Sequence, residues 1–208
     1  MKTKDLIKDK GRELFNRKGV MFVTLRDVAQ ALHKSYGNIT YHYPNKEVLI
    51  LNLYSDMTLE LRKTGNMLLA GVPTLEKLLD APTYTFDISL KYLFLHKDYV
   101  DIVRNNPEVA KASRTSNEQR KVIYFNILNA LKDQGVIMPE LEDEDLDYLM
   151  ELSGAMRTFF FIQLSAEDLK KPNLKQDYIR YVNRLLYPYL SQMGRVIYDQ
   201  YFIRLDSE

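Results

Sequence analysis

The chain has 208 residues, no cysteine and a net charge of +1. That length can bury a real core in one or two domains, and the lack of cysteine excludes disulfides, thiolate metal ligands and a thiol nucleophile within it. Residues 1–50 hold ten Lys/Arg against five Asp/Glu, +5, and residues 51–208 hold nineteen against twenty-three, −4. A small basic head on a larger acidic body is the footprint of a phosphate-binding module attached to something else. The N-terminal MKTKDLIKDKGREL lacks the apolar h-region of a signal peptide. No run approaches the ~20 apolar residues of a membrane span. The expectation is a protein of the reducing cytoplasm, with no membrane partner.

Residues 3–18 predict an amphipathic helix with Leu6, Ile7, Leu14 and Phe15 inward, decorated by lysines and arginines and ended by Gly19. Two short helices follow, over 24–32 and 36–43. Leu49, Leu53, Met57 and Leu61 form an i, i+4 stripe on a long helix from Lys46 to about Leu69, closed by Gly71 and Pro73. Thr74 caps a short helix that Pro82 interrupts, and Thr83 starts another carrying Ile88 and Leu95. Short pieces are expected around Asn105-Asn106-Pro107. Ser116 with Gln119 then reads as a capping box for a helix ending at Gly135. After an acidic connector, helices cover 144–165 and 174–190, the second capped by Asn173. Pro188 should break the last pattern, with more helix to about Leu205. With no strand alternation and no repeat, the fold class is all-α.

The stretch from Thr24 to Leu49, TLRDVAQALHKSYGNITYHYPNKEVL, organises the rest. Thr24 is a good N-cap with Asp27 three residues on, and Val28, Ala29 and Leu32 make one apolar face. Ser35 offers a second cap, for a helix in which Ile39 and Tyr43 face inward and Gly37, Asn38 and Tyr41 face away. Pro44 forbids continuation through Tyr43, and Asn45 can cap the next helix. Two capped helices on a tight turn are the helix-turn-helix signature, with the second helix presented to the major groove.

This stretch resembles the TetR family of bacterial regulators, whose motif runs roughly T-x-x-x-I-A-x-x-A-G-V-S-x-G-x-L-Y-x-H-F-x-x-K-x-x-L. Thr24, Val28, Ala29, Ser35, Gly37, Ile39, His42, Tyr43, Lys46 and Leu49 fall on matching positions. Two departures stand out. The usual Gly-Val of the turn is His33-Lys34, which puts a histidine where glycine tolerates positive φ, and the usual Tyr is Thr40. The resemblance implies an all-helical protein: a three-helix DNA-binding head over 1–48, joined by a long helix to a ligand-binding and dimerisation body over 49–208.

Asn can pair with adenine edges, and Tyr can reach phosphate or a thymine methyl, so Tyr36, Asn38 and Tyr41 are the candidate readers. Lys46 matches the family's phosphate-side lysine, at a helix N-terminus that attracts anions by itself. His42 follows the family's histidine. Thr24, Arg26, Lys34, Ser35, Gly37 and Thr40 complete the expected set against a double-stranded operator. Catalysis is disfavoured: HExxH, G-x-S-x-G, P-loop and GxGxxG are absent, and two of the three histidines sit in the head. No cofactor or metal is expected. The acids from Glu140 to Asp147 suit a helix start better than a cation loop.

Helix 144–165 is apolar nearly all round, apart from a strip of Asp147, Glu151, Gly154, Thr158 and Ser165, and helix 174–190 has a broad apolar arc. Two such helices doubled by a two-fold make a four-helix interface, which is also how the family dimerises. Arg157 lies one turn from Ser153 within the apolar arc and cannot stay buried unpaired. Its expected partner is a carboxylate of the same chain or the dimer mate, the alternative being an acidic ligand. The resemblance places a small-molecule effector cavity between the helix from Lys46 and the helices within 84–135. Its candidate lining is Met57, Leu61, Tyr84, Tyr92, Tyr99, Tyr124, Phe125 and Arg157. The reading is a ligand-responsive homodimeric repressor on a palindromic operator. Its alternatives are an effector-free architectural DNA-binding protein and, less well supported, a helical enzyme.

Overall fold

The computed structural model describes residues 2–207, apart from the side chains at positions 68 and 69. Among the described residues the regular elements are helices, with no strand beyond one isolated bridge between Ile137 and Leu190. They are α1 (Thr3–Lys18), α2 (Leu25–Ala31), α3 (Tyr36–His42), α4 (Lys46–Leu69), α5 (Leu75–Lys91), α6 (Phe94–Lys97), α7 (Tyr99–Asn105), α8 (Pro107–Asp133), α9 (Asp143–Gln163), α10 (Leu174–Asn183) and α11 (Gln192–Leu205). The chain packs as two compact units, Met1–Glu60 with Ile88–Ser116 and Leu61–Asp87 with Asn117–Glu208.

In the first unit Ile7, Phe15, Val28, Ile39, Tyr43, Leu49 and Leu53 are fully buried, and the Phe15 and Phe94 rings lie 5.2 Å apart. The residues around the head are fastened to α5–α8 by side-chain bonds to backbone. Asn16 Nδ2 donates to the Lys91 carbonyl at 3.0 Å, and its Oδ1 accepts from Phe94 N at 2.9 Å. Asp98 accepts from Val20 N at 2.7 Å. Asn106 Nδ2 donates to the Glu47 carbonyl at 2.9 Å. Tyr92 is buried with its hydroxyl on Glu60 at 2.8 Å. Burial raises that hydroxyl's pKa, and the Glu60 bond reinforces the rise.

In the second unit Leu75, Leu79, Leu128, Leu131, Leu146, Leu149, Ile179 and Leu186 form one core with Tyr198, Tyr201 and Phe202. A neighbouring aromatic group holds Phe86, Phe160, Phe161 and Tyr178 at centroid distances of 5.0–5.8 Å.

Several expected boundaries move. α5 runs through Pro82 without a break. A proline there removes one N–H and crowds the carbonyl a turn back. The adjacent Leu79 carbonyl receives Asn183 Nδ2 at 2.8 Å and the Tyr201 hydroxyl at 3.2 Å, so tertiary bonds fasten the turn that the proline weakens. Ser116 caps nothing, because α8 starts at Pro107 and continues to Asp133. Proline suits the first helical position, where its N–H is not needed, and Asn106 Oδ1 caps the turn by accepting from Val109 N at 3.2 Å. Asn173 makes no side-chain cap, and α10 stops at Asn183, giving way to a 3-10 turn over Arg184–Tyr189. The break near Pro188 and the further helix to Leu205 are present.

Candidate nucleic-acid interface

Short-range caps build the head. Thr24 and Asp27 cap α2 reciprocally: Thr24 N donates to Asp27 Oδ2 at 2.7 Å and Asp27 N to Thr24 Oγ1 at 3.3 Å. The Thr24 hydroxyl and backbone hold the Asp27 carboxyl below the usual aspartate range. After α2 the chain turns through His33 at φ +52°, so the left-handed position is kept although a histidine fills it. Ser35 Oγ then accepts from Asn38 N at 3.2 Å and starts α3. At the far end Tyr43 is fully buried, its hydroxyl donating to the Lys4 carbonyl at 3.4 Å. Asn45 Oδ1 caps α4 through Val48 N at 2.9 Å.

Ile39 and Tyr43 fix one face of α3 inward, so Tyr36, Gly37, Asn38 and Tyr41 are all exposed, Tyr41 at 84%. Nothing lies within 4 Å of where a Gly37 Cβ would be, so this face offers backbone to a close partner. The Arg26 guanidinium sits 5.3 Å over the Tyr36 ring, an arrangement that orders a cation beside α3. The Tyr41 and His42 rings meet edge-on at 5.1 Å. A shallow groove of about 320 Å³ gathers Thr24, Arg26, Tyr36 and Lys46 with Leu25, Pro44 and Asn45.

Other expected contacts are partly engaged internally. The Thr40 hydroxyl donates back to the Tyr36 carbonyl at 3.2 Å, and Lys46 Nζ donates to the Val20 carbonyl at 2.8 Å. An ammonium carries three donors, so Lys46 keeps capacity for a phosphate while staying tied to the turn after α1. Lys34 is half-buried and Ser35 exposed at the turn. Met21 and Phe22, at 58% and 80% exposure, are not among the residues expected from sequence. Two apolar residues out of helical period between Gly19 and the cap at Thr24 were the available signal.

The eight expected pocket residues divide between the two units. Met57, Tyr92 and Tyr99 fall in the first and Leu61, Tyr84, Tyr124, Phe125 and Arg157 in the second. Met57 is buried, Tyr99 shares a 3.0 Å hydrogen bond with Ser113, Tyr84 is 46% exposed and Phe125 packs against the second unit's core. Tyr124 and Arg157 are brought together, the guanidinium 6.0 Å over the ring. Burial raises the Tyr124 hydroxyl's pKa, opposed by the Arg157 charge and a Ser153 hydrogen bond. Among the described residues no three histidines or acids converge as a metal site. In the acidic run, Glu142 and Asp145 cap α9 reciprocally, and Asp147 lies 3.8 Å from Lys121.

A family profile described as bacterial regulatory proteins of the tetR family matches residues 7–53, and one described as bacterial transcriptional repressor matches residues 56–198. The chain belongs to the TetR family. This TetR-family chain is a DNA-binding transcriptional regulator of the repressor type. Its fold is similar to that of a TetR-family regulator from Marinobacter aquaeolei VT8, at 26% identity and a TM-score of 0.83 over 97% of this chain and 99% of that one. It is also similar to the ketosteroid regulator KstR2 of Mycobacterium tuberculosis, at 15% identity and a TM-score of 0.74 over 92% and 96% of the two chains. A transcriptional regulator from Saccharomonospora viridis, solved in complex with choline, aligns at 18% identity and a TM-score of 0.71 over 91% and 98%. No curated protein matches the chain. No described helix is long and apolar enough to cross a membrane.

Proposed function

We propose that this TetR-family protein is a cytoplasmic, ligand-responsive repressor that binds a palindromic operator as a homodimer and catalyses no reaction. Residues 1–48 act as the reading head and 49–208 as the effector and dimerisation body. The observation that carries the reading is the outward face of α3. Tyr36, Gly37, Asn38 and Tyr41 are exposed on a short helix whose other face is locked by Ile39 and Tyr43. Two such helices, one per protomer, meet successive major grooves about 34 Å apart. Arg26 and Lys46 supply phosphate contacts beside them.

For the dimer, α9 leaves Tyr148, Phe159 and Ile162 exposed, and α11 leaves Met193, Val196 and Ile203 exposed. α10 turns Leu174, Tyr178, Ile179 and Val182 into its own unit. This supports pairing α9 with α11 in the interface, in place of residues 174–190. The S. viridis regulator of the same fold was solved in complex with choline, which supports a small-molecule effector here. Selection of an operator from random DNA tests the head. Asn38→Ala or Tyr41→Ala should change base preference, and Lys46→Ala should lower the salt slope by about 1 without changing preference. Wild-type affinity, preference and salt dependence in all three variants would remove the reading head from α3.

A further inference from the structure

Arg157 is a cation that the packing of the second unit leaves unexplained. Its Nε is buried without a hydrogen-bond partner, and no hydrogen bond or ion pair joins its side chain to another described residue. Its surroundings are aromatic and hydroxylic. The Tyr124 ring lies under the guanidinium, Ser153 is buried one turn back on α9, and the buried Tyr178 hydroxyl of α10 feels the Arg157 charge. A second guanidinium approaches from α8: a Cβ on Gly154 would stand 3.2 Å from Arg120 Nη2, which also donates to Asn117 Oδ1 at 3.1 Å.

Three carboxylates of α9 and α5 are engaged by lysines. Glu151 pairs with Lys121 at 2.7 Å, Asp147 lies 3.8 Å from the same ammonium, and Asp87 of α5 pairs with Lys175 at 2.7 Å. A guanidinium whose Nε is sealed from water with no partner and no counter-charge is costly. Arginine's planar fork suits a carboxylate held by two parallel bonds. Arg157 and Tyr124 are each half-buried, and the Arg157 Nε is sealed from solvent.

We propose that the effector is a small organic carboxylate with an apolar or aromatic body, its carboxylate held by Arg157 of α9 and its body against Tyr124. This rests on the effector-responsive reading above and names the effector's chemistry. A same-chain carboxylate partner, the first expectation from sequence, is not what the packing supplies.

Simple carboxylates and their amides serve as probes in place of the natural effector. Thermal unfolding of the full-length protein is followed with benzoate against benzamide and octanoate against octanamide. Each carboxylate should raise Tm by a few degrees in a concentration-dependent way, its amide should not, and Arg157→Met should remove the difference. The ligand-free Arg157→Met protein should unfold at or above the wild-type Tm, because a desolvated unpaired cation has gone. Arg157→Lys, with the charge but without the fork, should respond at least tenfold more weakly.

Equal shifts from acid and amide, or no shift from either, overturn the proposal. So does a ligand-free Arg157→Met protein that is less stable or monomeric, which assigns Arg157 a partner across the dimer. If uncharged metabolites release operator DNA while the carboxylates do nothing, only the carboxylate inference falls. If no small molecule of any charge alters operator binding, the effector reading falls with it.

Discussion

The head at 24–49 and the second compact unit are built from the same kind of element but specified at different ranges. Each helix start in the head is fixed by a side chain three residues away: Thr24 with Asp27, Ser35 with Asn38, Asn45 with Val48. The second unit has such caps too, at Thr74, Glu142 and Ser191, but adds bonds that reach across the chain. The α5 turn at Pro82 is fastened by Asn183 and Tyr201, 104 and 122 residues beyond Leu79. The start of α11 is clamped to the turn after α8 by Ser191 N on the Val136 carbonyl at 3.0 Å and Ser191 Oγ on the Gly135 carbonyl at 2.7 Å. The head's helix starts are thus set within a few residues, while elements of the second unit depend on partners a hundred residues away.

The largest test of it is Gly194→Ala. A Cβ there would stand 2.2 Å from the Val136 carbonyl oxygen, so backbone must move and the clamp on α11 must open. A loss of about 3 kcal/mol is expected in urea unfolding. Operator binding by whatever remains folded should be retained. A loss under about 1 kcal/mol would mean that the clamp is slack.

His96, in α6 of the first unit, gives the next largest effect. Burial lowers its pKa to about 4 from an ordinary 6.5. Above pH 6.5 both folded and unfolded chains hold it neutral and its contribution is intact. As pH falls from 6.5 towards 4 the unfolded chain takes up the proton first, and stability drops by up to roughly 3 kcal/mol. His96→Leu should flatten ΔG of unfolding across that window. An unchanged slope would show that the ring protonates freely in the fold.

Asn183→Leu sharpens the long-range side of the comparison. It removes a buried donor from the Leu79 carbonyl beside Pro82 and should cost about 2 kcal/mol, with faster amide exchange confined to the middle of α5. Thr24→Ala does the same for the short-range side. Loss of the α2 cap should cost about 1 kcal/mol and be read as weaker operator binding, with the unfolding of the second unit unmoved.

These contrasts also explain what was legible in the sequence. Caps, an inward pair four apart and an i, i+4 stripe are local, so α1–α4, the turn and the exposed face of α3 could be read from residues 3–69. Pro82, Ser116 and Asn173 carry the same local signals and misled, because a proline can stay in a helix that distant donors support. A capping pair is also ignored where a better start, Asn106-Pro107, lies upstream. The fate of the apolar residues of 174–190 was equally hidden. Periodicity gives the arc, but only packing tells whether it is covered by its own chain, as Leu174, Tyr178, Ile179 and Val182 are, or left open, as Phe159 and Ile162 are.

The smallest expected effect sits at the turn of the head. His33 holds φ +52°, a left-handed backbone that costs a residue with a Cβ about 1 kcal/mol and glycine almost nothing. The side chain is exposed and Lys34 N already bonds the Ala29 carbonyl at 3.0 Å, so the turn is held without help from the imidazole. His33→Gly should therefore stabilise the protein, by somewhat less than that strain, because glycine also gains freedom in the unfolded chain. Operator affinity then decides what the histidine is for. If it stays level as stability rises, His33 is tolerated strain in a turn that the caps enforce. If it falls severalfold with a shallower salt dependence, the imidazole reaches the DNA backbone, and the reading surface extends from α3 back into the turn.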